Sequence, residues 1–251
     1  MKHLDLFSGI GGFALAASWV WGEDHEIVSF VEIDEFCQKV FRKHWPDVPI
    51  HDDIRTYKYD GKKKIDLITG GFPCQDISLA GKGEGIDGEK SGLWKEMFRV
   101  IREVRPRFVI IENSAGLLVR GGTKVLADIA SIGMDAQWQT ISAKEVGAPH
   151  QRNRLYIVAY ADLLYGGKGV GNIFKRSSKI LKDSSEKRHE IWLQTPDTTN
   201  RVDDGISPKL YRMAVESLGN AIVPQVVQPI MEAIKEIETE KTYLQKLAEA
   251  R

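Results

Sequence analysis

Apolar and polar positions along this chain follow two periods. Lys2–Phe7, Ile27–Val31, Ile65–Thr69, Phe108–Ile111, Ala136–Ile141 and Leu155–Tyr160 are short apolar or alternating runs, the pattern of strands. Between them, Phe13–Trp21, Asp34–His44, Leu93–Val104 and Thr123–Ile132 space their apolar residues as helices do. In Asp34–His44 the repeat is Phe36, Val40 and Phe41, and Pro46 and Pro49 lie beyond its end. In Leu93–Val104 it is Leu93, Trp94, Met97, Phe98, Ile101 and Val104, and Arg105-Pro106 stops it. A last helix, Val226–Ile237, continues at the same spacing through Leu244 and Leu247. Strands alternating with helices predict an α/β fold, a doubly wound and mostly parallel sheet whose ligands gather at the carboxyl ends of the strands.

A chain of 251 residues has room for one large α/β domain with a modest appendage. Lys plus Arg equals Asp plus Glu at 35 each, so overall charge neither argues for a nucleic-acid partner nor excludes one. The two cysteines, Cys37 and Cys74, form no CxxC, and His3, His25, His44, His51 and His189 have no ligand spacing. Neither a disulfide framework nor a metal is therefore expected. Met1–Phe7 leads straight into a glycine turn, and no apolar run reaches spanning length. The expectation is a cytoplasmic or nucleoid-associated protein with no membrane partner.

Candidate chemistry collects where the predicted strands end. Ser8-Gly-Ile-Gly-Gly12 joins the first strand to the first helix, a nucleotide cradle that satisfies G-x-G-x-x-A from Gly9 to Ala14. Glu32 closes the next strand, where a carboxylate accepts hydrogen bonds from ribose hydroxyls. Taken alone, this fits a nicotinamide dehydrogenase and a methyltransferase equally. Asp52-Asp53-Ile54 offers a carboxylate to an adenine amine. Gly70-Gly-Phe-Pro-Cys74 places a thiol just past a strand end, where Pro73 stiffens the chain and Gly70 and Gly71 let a ligand come close. The polar, glycine-rich Gln75–Gly92 reads as a lid over that thiol. Glu112-Asn113 ends another apolar strand at the same edge, where desolvation raises a carboxyl pKa and lets it hold a proton near neutrality. Arg152 and Arg154, at i and i+2 on an extended chain, point to one side and can grip a phosphate and a carbonyl oxygen together. Cys37, among helical core positions, reads as a small buried hydrophobe.

The order of these parts carries a resemblance. Asp5-Leu-Phe-Ser-Gly-Ile-Gly-Gly12, Glu32, Asp53, Phe72-Pro-Cys74, Glu112-Asn113, Arg152-x-Arg154 and Gly219-Asn-Ala-Ile-Val-Pro-Gln225 together resemble the motif series of the DNA (cytosine-5)-methyltransferases, compact phage and prophage members in particular. The resemblance covers residues 2–161 and 212–230. It implies a Rossmann-like, S-adenosylmethionine-dependent catalytic domain over residues 1–161, a small target-recognition region over 162–211, and a segment, 212–251, that returns to the catalytic domain. Carried over residue by residue, it places Phe7 and Ile33 against adenine, Glu32 on the ribose hydroxyls, Asp53 and Ile54 at the adenine edge, and Asn220 with Ala221 near the methionine end. Ser8, Gly9, Gly11, Gly12 and Phe72 complete the cofactor site. Cys74 is the implied nucleophile toward C6 of a flipped-out cytosine, Glu112 the group that holds N3, and Arg152 and Arg154 its supports. Two positions depart from the family pattern: Ser114 follows Glu112-Asn113 where Val is usual, and His150 replaces the first Gln of the arginine series. Neither removes a reacting group, and His150 is expected to be structural.

The recognition region is short for its task. Phe174–Arg188 is dense in Lys and Arg, which suits phosphate contacts. Trp192-Leu-Gln-Thr-Pro196 and Arg201–Ile206 are similar to the closing segment of phage members. The implied partner is duplex DNA, bound by a monomer that needs no cognate restriction endonuclease for activity. The rivals are a cytosine-5 enzyme acting on structured RNA and a catalytically silent DNA-binding subunit.

Overall fold

The computed structural model describes residues 1–73, 92–161, 170–183, 213 and 216–249. The strands are β1 (Lys2–Leu6), β2 (Glu26–Val31), β3 (Ile50–His51), β4 (Leu67–Gly70), β5 (Phe108–Ser114), β6 (Asp135–Ser142) and β7 (Asn153–Tyr160). The helices are α1 (Gly12–Trp21), α2 (Glu35–His44), α3 (Leu93–Val104), α4 (Leu117–Arg120), α5 (Gly122–Ser131), α6 (Ile173–Asp183) and α7 (Pro224–Glu249). The strands form one sheet in the order β3-β2-β1-β4-β5-β7-β6. β1 to β5 pair in parallel, and β7 runs antiparallel to both β5 and β6. This is the expected doubly wound sheet, and its order reverses between β1 and β4, where such folds open a crevice.

Period-two alternation sends successive side chains of each strand to opposite faces. Phe108 and Ile110 of β5 join a core beneath α1, α6 and α7, whereas Val109 and Ile111 join a second core beneath α3 and α5. Asp34 caps α2 by accepting from Phe36 N at 2.7 Å and Cys37 N at 3.2 Å, which satisfies two donors that the first helical turn leaves open. Among the described residues, no helix is long and apolar enough to cross a membrane.

The apolar run predicts that β5 ends at Ile111, but the strand continues through Ser114. The cause is its antiparallel partner: Glu112, Asn113 and Ser114 register with Tyr156, Leu155 and Arg154. α4, β3 and the docking of α6 also differ from the sequence expectation. Val170, Ile173 and Phe174 are buried in the same core as α7, and Gln137 of β6 accepts from Ile173 N at 2.9 Å and donates to Gly171 O at 2.6 Å. Residues 170–183 therefore pack on the sheet domain. Arg176, expected on phosphate, pairs with Glu240 at 2.8 and 3.0 Å. Arg107 at the amino end of β5 pairs with Asp66 and Glu238, so this part of α7 lies at the amino edge of the sheet, opposite the crevice.

Candidate functional site

A chain of buried polar groups runs under the switch point. His25 Nε2 lies 3.1 Å from His3 Nδ1, His3 Nε2 lies 2.7 Å from Thr69 Oγ1, and Thr69 Oγ1 donates to Asp5 Oδ1 at 2.6 Å. His3, Asp5 and Thr69 are fully buried, and Asp5 Oδ2 has no hydrogen-bond partner among the described residues. Burial pushes the Asp5 carboxyl well above its usual range; Thr69 opposes this and the nearby Glu32 adds to it. Burial also lowers both imidazoles, His25 to about 4. For an acid whose folded pKa is raised, the unfolded chain gives up its proton first as pH rises. Stability from Asp5 is thus greatest below the ordinary carboxyl pKa and is lost as pH climbs through the folded value. Asp5→Asn is expected to gain in melting temperature over the wild type on going from about pH 5 to about pH 8. Thermal melts of the ligand-free protein at both pH values check this, and an unchanged difference would refute it.

At the end of β1, Phe7 adopts φ 51°, the left-handed region that a bulky residue avoids at a cost of about 1–2 kcal/mol. Ser8 holds it there, with N donating to Val31 O at 3.3 Å and Oγ to Asp5 O at 2.7 Å. Gly9, also left-handed, donates to Glu32 Oε2 at 2.7 Å, and Glu32 Oε1 accepts from Asp34 N at 2.9 Å. A carboxylate accepts about four hydrogen bonds, so Glu32 keeps capacity for hydroxyl groups. Burial raises its pKa. A Cβ at Gly9 would meet nothing within 4 Å, which leaves room for a ligand beside Glu32. Gly11 and Gly12 also serve the fold. A Cβ there would stand 2.9 Å from the Trp45 ring and 2.7 Å from Ile222 O, so the turn packs against the chain at both positions. Ile33 is 66% exposed next to Glu32, whereas Ile54 is buried. Asp53 is gripped by the Arg55 guanidinium at 2.9 and 2.5 Å, which holds its carboxyl below the usual range.

The other half of the crevice is built on β5 and β7. Glu112 is 8% exposed, and its Oε1 lies 3.0 Å from Arg154 Nε. Burial raises its pKa against the opposing pull of Arg154 and Arg152. A Cβ at Gly71 would stand 3.0 Å from Glu112 Oε2, so this glycine makes room for a carboxylate of the protein, and Gly70 for Met97 and Leu6. Asn113 Nδ2 donates to Phe72 O at 3.0 Å and ties the lead into Cys74 to β5. The Phe72 ring is buried against Trp94, with centroids 5.6 Å apart, and is closed to ligands. Tyr156, opposite Glu112 in register, has its pKa raised by burial and by that carboxyl.

The two arginines part company. Arg154 holds Glu112, while Arg152 donates to Gly219 O at 2.5 Å and Ala221 O at 3.0 Å. The same loop passes Ile222 against Gly12, so residues 219–222 bridge the glycine turn and the Glu112 side. Asn220 within it is exposed. Cys74 and residues 75–91 of the expected lid lie outside the described residues. Cys37 is buried, 3.7 Å from Ser217 Oγ, and burial pushes its thiol up to about 11, as befits a core position. Asp5 is the residue that motif matching undervalued. Its signal was available: His3 and Asp5 repeat at period two on one face of a strand whose other face carries Leu4 and Leu6. Among the described residues no group of His, Cys, Asp and Glu is arranged to hold a metal.

A family model described as C-5 cytosine-specific DNA methylase matches residues 1–212. Type II methyltransferase M2.BsuMI of Bacillus subtilis (strain 168) is 36% identical over 167 residues, which cover 63% of this chain and 42% of that protein. Orphan methyltransferase M.Rho11sI of Bacillus phage rho11s is 27% identical over 248 residues, 91% of this chain and 48% of that one. The chain therefore spans less than half the length of these relatives. In fold it is similar to Entamoeba histolytica methyltransferase EhMeth, with a TM-score of 0.67 at 14% identity over 94% of this chain and 98% of that one. S. pombe Dnmt2 methyltransferase gives a TM-score of 0.63 at 15% identity over the same shares, 94% and 98%.

Proposed function

The chain belongs to the C-5 cytosine-specific DNA methylase family, and on that premise we propose that it transfers a methyl group from S-adenosylmethionine to C5 of a cytosine flipped out of duplex DNA. The observation that carries the reading is Glu112, a buried carboxyl with a raised pKa, held by Arg154 at the strand end beside Gly71.

The residues of the other half fit an adenosyl cofactor. Open space at Gly9 adjoins Glu32, which has acceptor capacity for ribose hydroxyls, and Ile33 offers an exposed apolar surface to a base. Phe7 would flank the adenine, Asp53 and Ile54 its edge, and Asn220 and Ala221 the methionine end. Ser8, Gly11, Gly12 and Phe72 would complete the cofactor site. When bound, S-adenosylmethionine supplies the methyl group as an electrophilic sulfonium.

The protein's task is to make cytosine C5 nucleophilic. Flipping costs about a few kcal/mol in lost pairing and stacking, offset by contacts in the pocket. The Cys74 thiolate adds to C6, and the electron pair displaced from the C5–C6 bond makes C5 an enamine carbon. Glu112, holding its proton, donates to N3 so that charge does not build on the ring. After transfer, a base takes the C5 proton and the C6–S bond breaks, which restores the ring and the thiolate.

Trapping tests this. Duplex DNA carrying 5-fluorocytosine, incubated with the protein and S-adenosylmethionine, is expected to give a covalent adduct that survives denaturing electrophoresis, because fluorine at C5 cannot leave as a proton does. Transfer RNA carrying the same base is the parallel arm. An adduct on RNA alone would replace the DNA reading, and no adduct on either, with cofactor bound, would reject it.

A further inference from the structure

One helix supports both halves of the crevice. Trp94 of α3 packs on Phe72, with centroids 5.6 Å apart, and a Cβ at Gly70 would stand 2.8 Å from Met97 Cε, so α3 underlies the strand end that leads to Cys74. On the flank of the same helix, the Arg99 guanidinium is held on two sides. Its Nε donates to Glu96 at 2.8 Å and its Nη1 to Glu103 at 3.1 and 3.2 Å. These acids lie three residues before and four after it on the helix, so the planar fork is locked and its remaining edge is aimed. That edge, Nη2, donates to Ile54 O at 2.8 Å.

The turn it reaches carries Asp53. Asp53 O accepts from Thr56 N at 3.0 Å and Tyr57 N at 3.1 Å, and Asp53 Oδ1 from Arg55 N at 2.9 Å. The turn is thus a stiff unit whose placement depends on where it is anchored. Gln38 anchors its β2 side through Asp52 at 3.1 Å, and Arg99 anchors its α3 side.

We infer that Arg99 is a positioning residue for adenine recognition, setting the Asp53 carboxylate against the base from the helix that also supports the approach to Cys74. This rests on the proposed cofactor. Arg99 touches neither cofactor nor substrate; it acts through Ile54.

The test compares wild type, Arg99→Gln and Arg99→Lys. Binding of S-adenosylhomocysteine and of its inosine counterpart, which lacks the exocyclic amine, is measured by calorimetry, with kcat and KM on duplex DNA. Arg99→Lys keeps the charge between Glu96 and Glu103 but replaces a three-sided fork by a point donor. In both variants the preference for adenine over hypoxanthine and the affinity for S-adenosylhomocysteine are expected to fall roughly tenfold, and KM for S-adenosylmethionine to rise as much, with kcat within about twofold. An unchanged preference in the variants would overturn the inference, whether or not melting temperature falls. Should Arg99→Gln fail to fold, Arg99→Lys decides alone. Wild type that binds neither ligand would instead reject the cofactor reading itself.

Discussion

Replacing Cys74 with Ser is expected to leave cofactor affinity within about twofold and to lower kcat by ~10⁴-fold or more, the scale on which covalent catalysis fails when its nucleophile is removed. Sulfur is the better nucleophile for addition to C6 for two reasons. A thiol with a pKa of about 8.5 is partly ionised near neutrality, whereas a serine hydroxyl is not, and the soft, polarizable sulfur attacks an unsaturated carbon readily. The variant should yield no adduct on 5-fluorocytosine DNA. Because the glycine turn, Glu32 and the Asp53 turn lie on other strands and loops, S-adenosylhomocysteine binding is the control that separates lost chemistry from lost fold. Turnover by Cys74→Ser within about tenfold of wild type would sink the covalent mechanism.

Glu112→Gln is expected to lower kcat by roughly 10²–10³-fold with little change in melting temperature. Gln has nearly the same shape, so the gap beside Gly71 stays filled, but its amide N–H, although it can still donate a hydrogen bond to N3, is far too weak an acid to pass its proton there as charge develops on the ring. The pH dependence gives a second readout. Burial raises the Glu112 carboxyl while Arg154 and Arg152 hold it down, so activity that needs its protonated form is lost as pH rises through the raised value. Arg154→Gln removes the first of the two opposing charges and is expected to move that alkaline limb to higher pH. In Glu112→Gln the limb should vanish. A limb unchanged in both variants would assign the proton to another group.

Much of the fold was legible. β1 and β7 are buried on both faces, which calls for short runs poor in exposed polar residues, while α2, α3 and α7 bury one face, which imposes a helical repeat on the sequence. β5 was read three residues short, because Glu112, Asn113 and Ser114 carry no apolar signal and stay extended by pairing with β7. α6 was taken for a surface segment because its lysines and arginines dominate its composition. Its core face, Ile173, Phe174, Ile180 and Leu181 with the buried Ser177 between them, keeps helical spacing, but the charged residues that separate these positions masked that repeat.

The site divides along the same line. By itself the sequence determined the residue types and their order: a glycine turn, a carboxylate after β2, a thiol after β4, a carboxylate in β5 and two arginines at the start of β7. Local chain geometry suffices for these, since each stands at or near a strand terminus and strand termini are written in nearby residues. The tertiary structure alone decided which groups meet. It gave Arg154 to Glu112 and Arg152 to the carbonyls of Gly219 and Ala221, closed Gly12 with Ile222, set Gly71 aside for a carboxylate, and ran Arg99 to Ile54. These partners lie far apart along the chain, and sheet order together with helix packing, which no local pattern encodes, brings them within hydrogen-bonding distance.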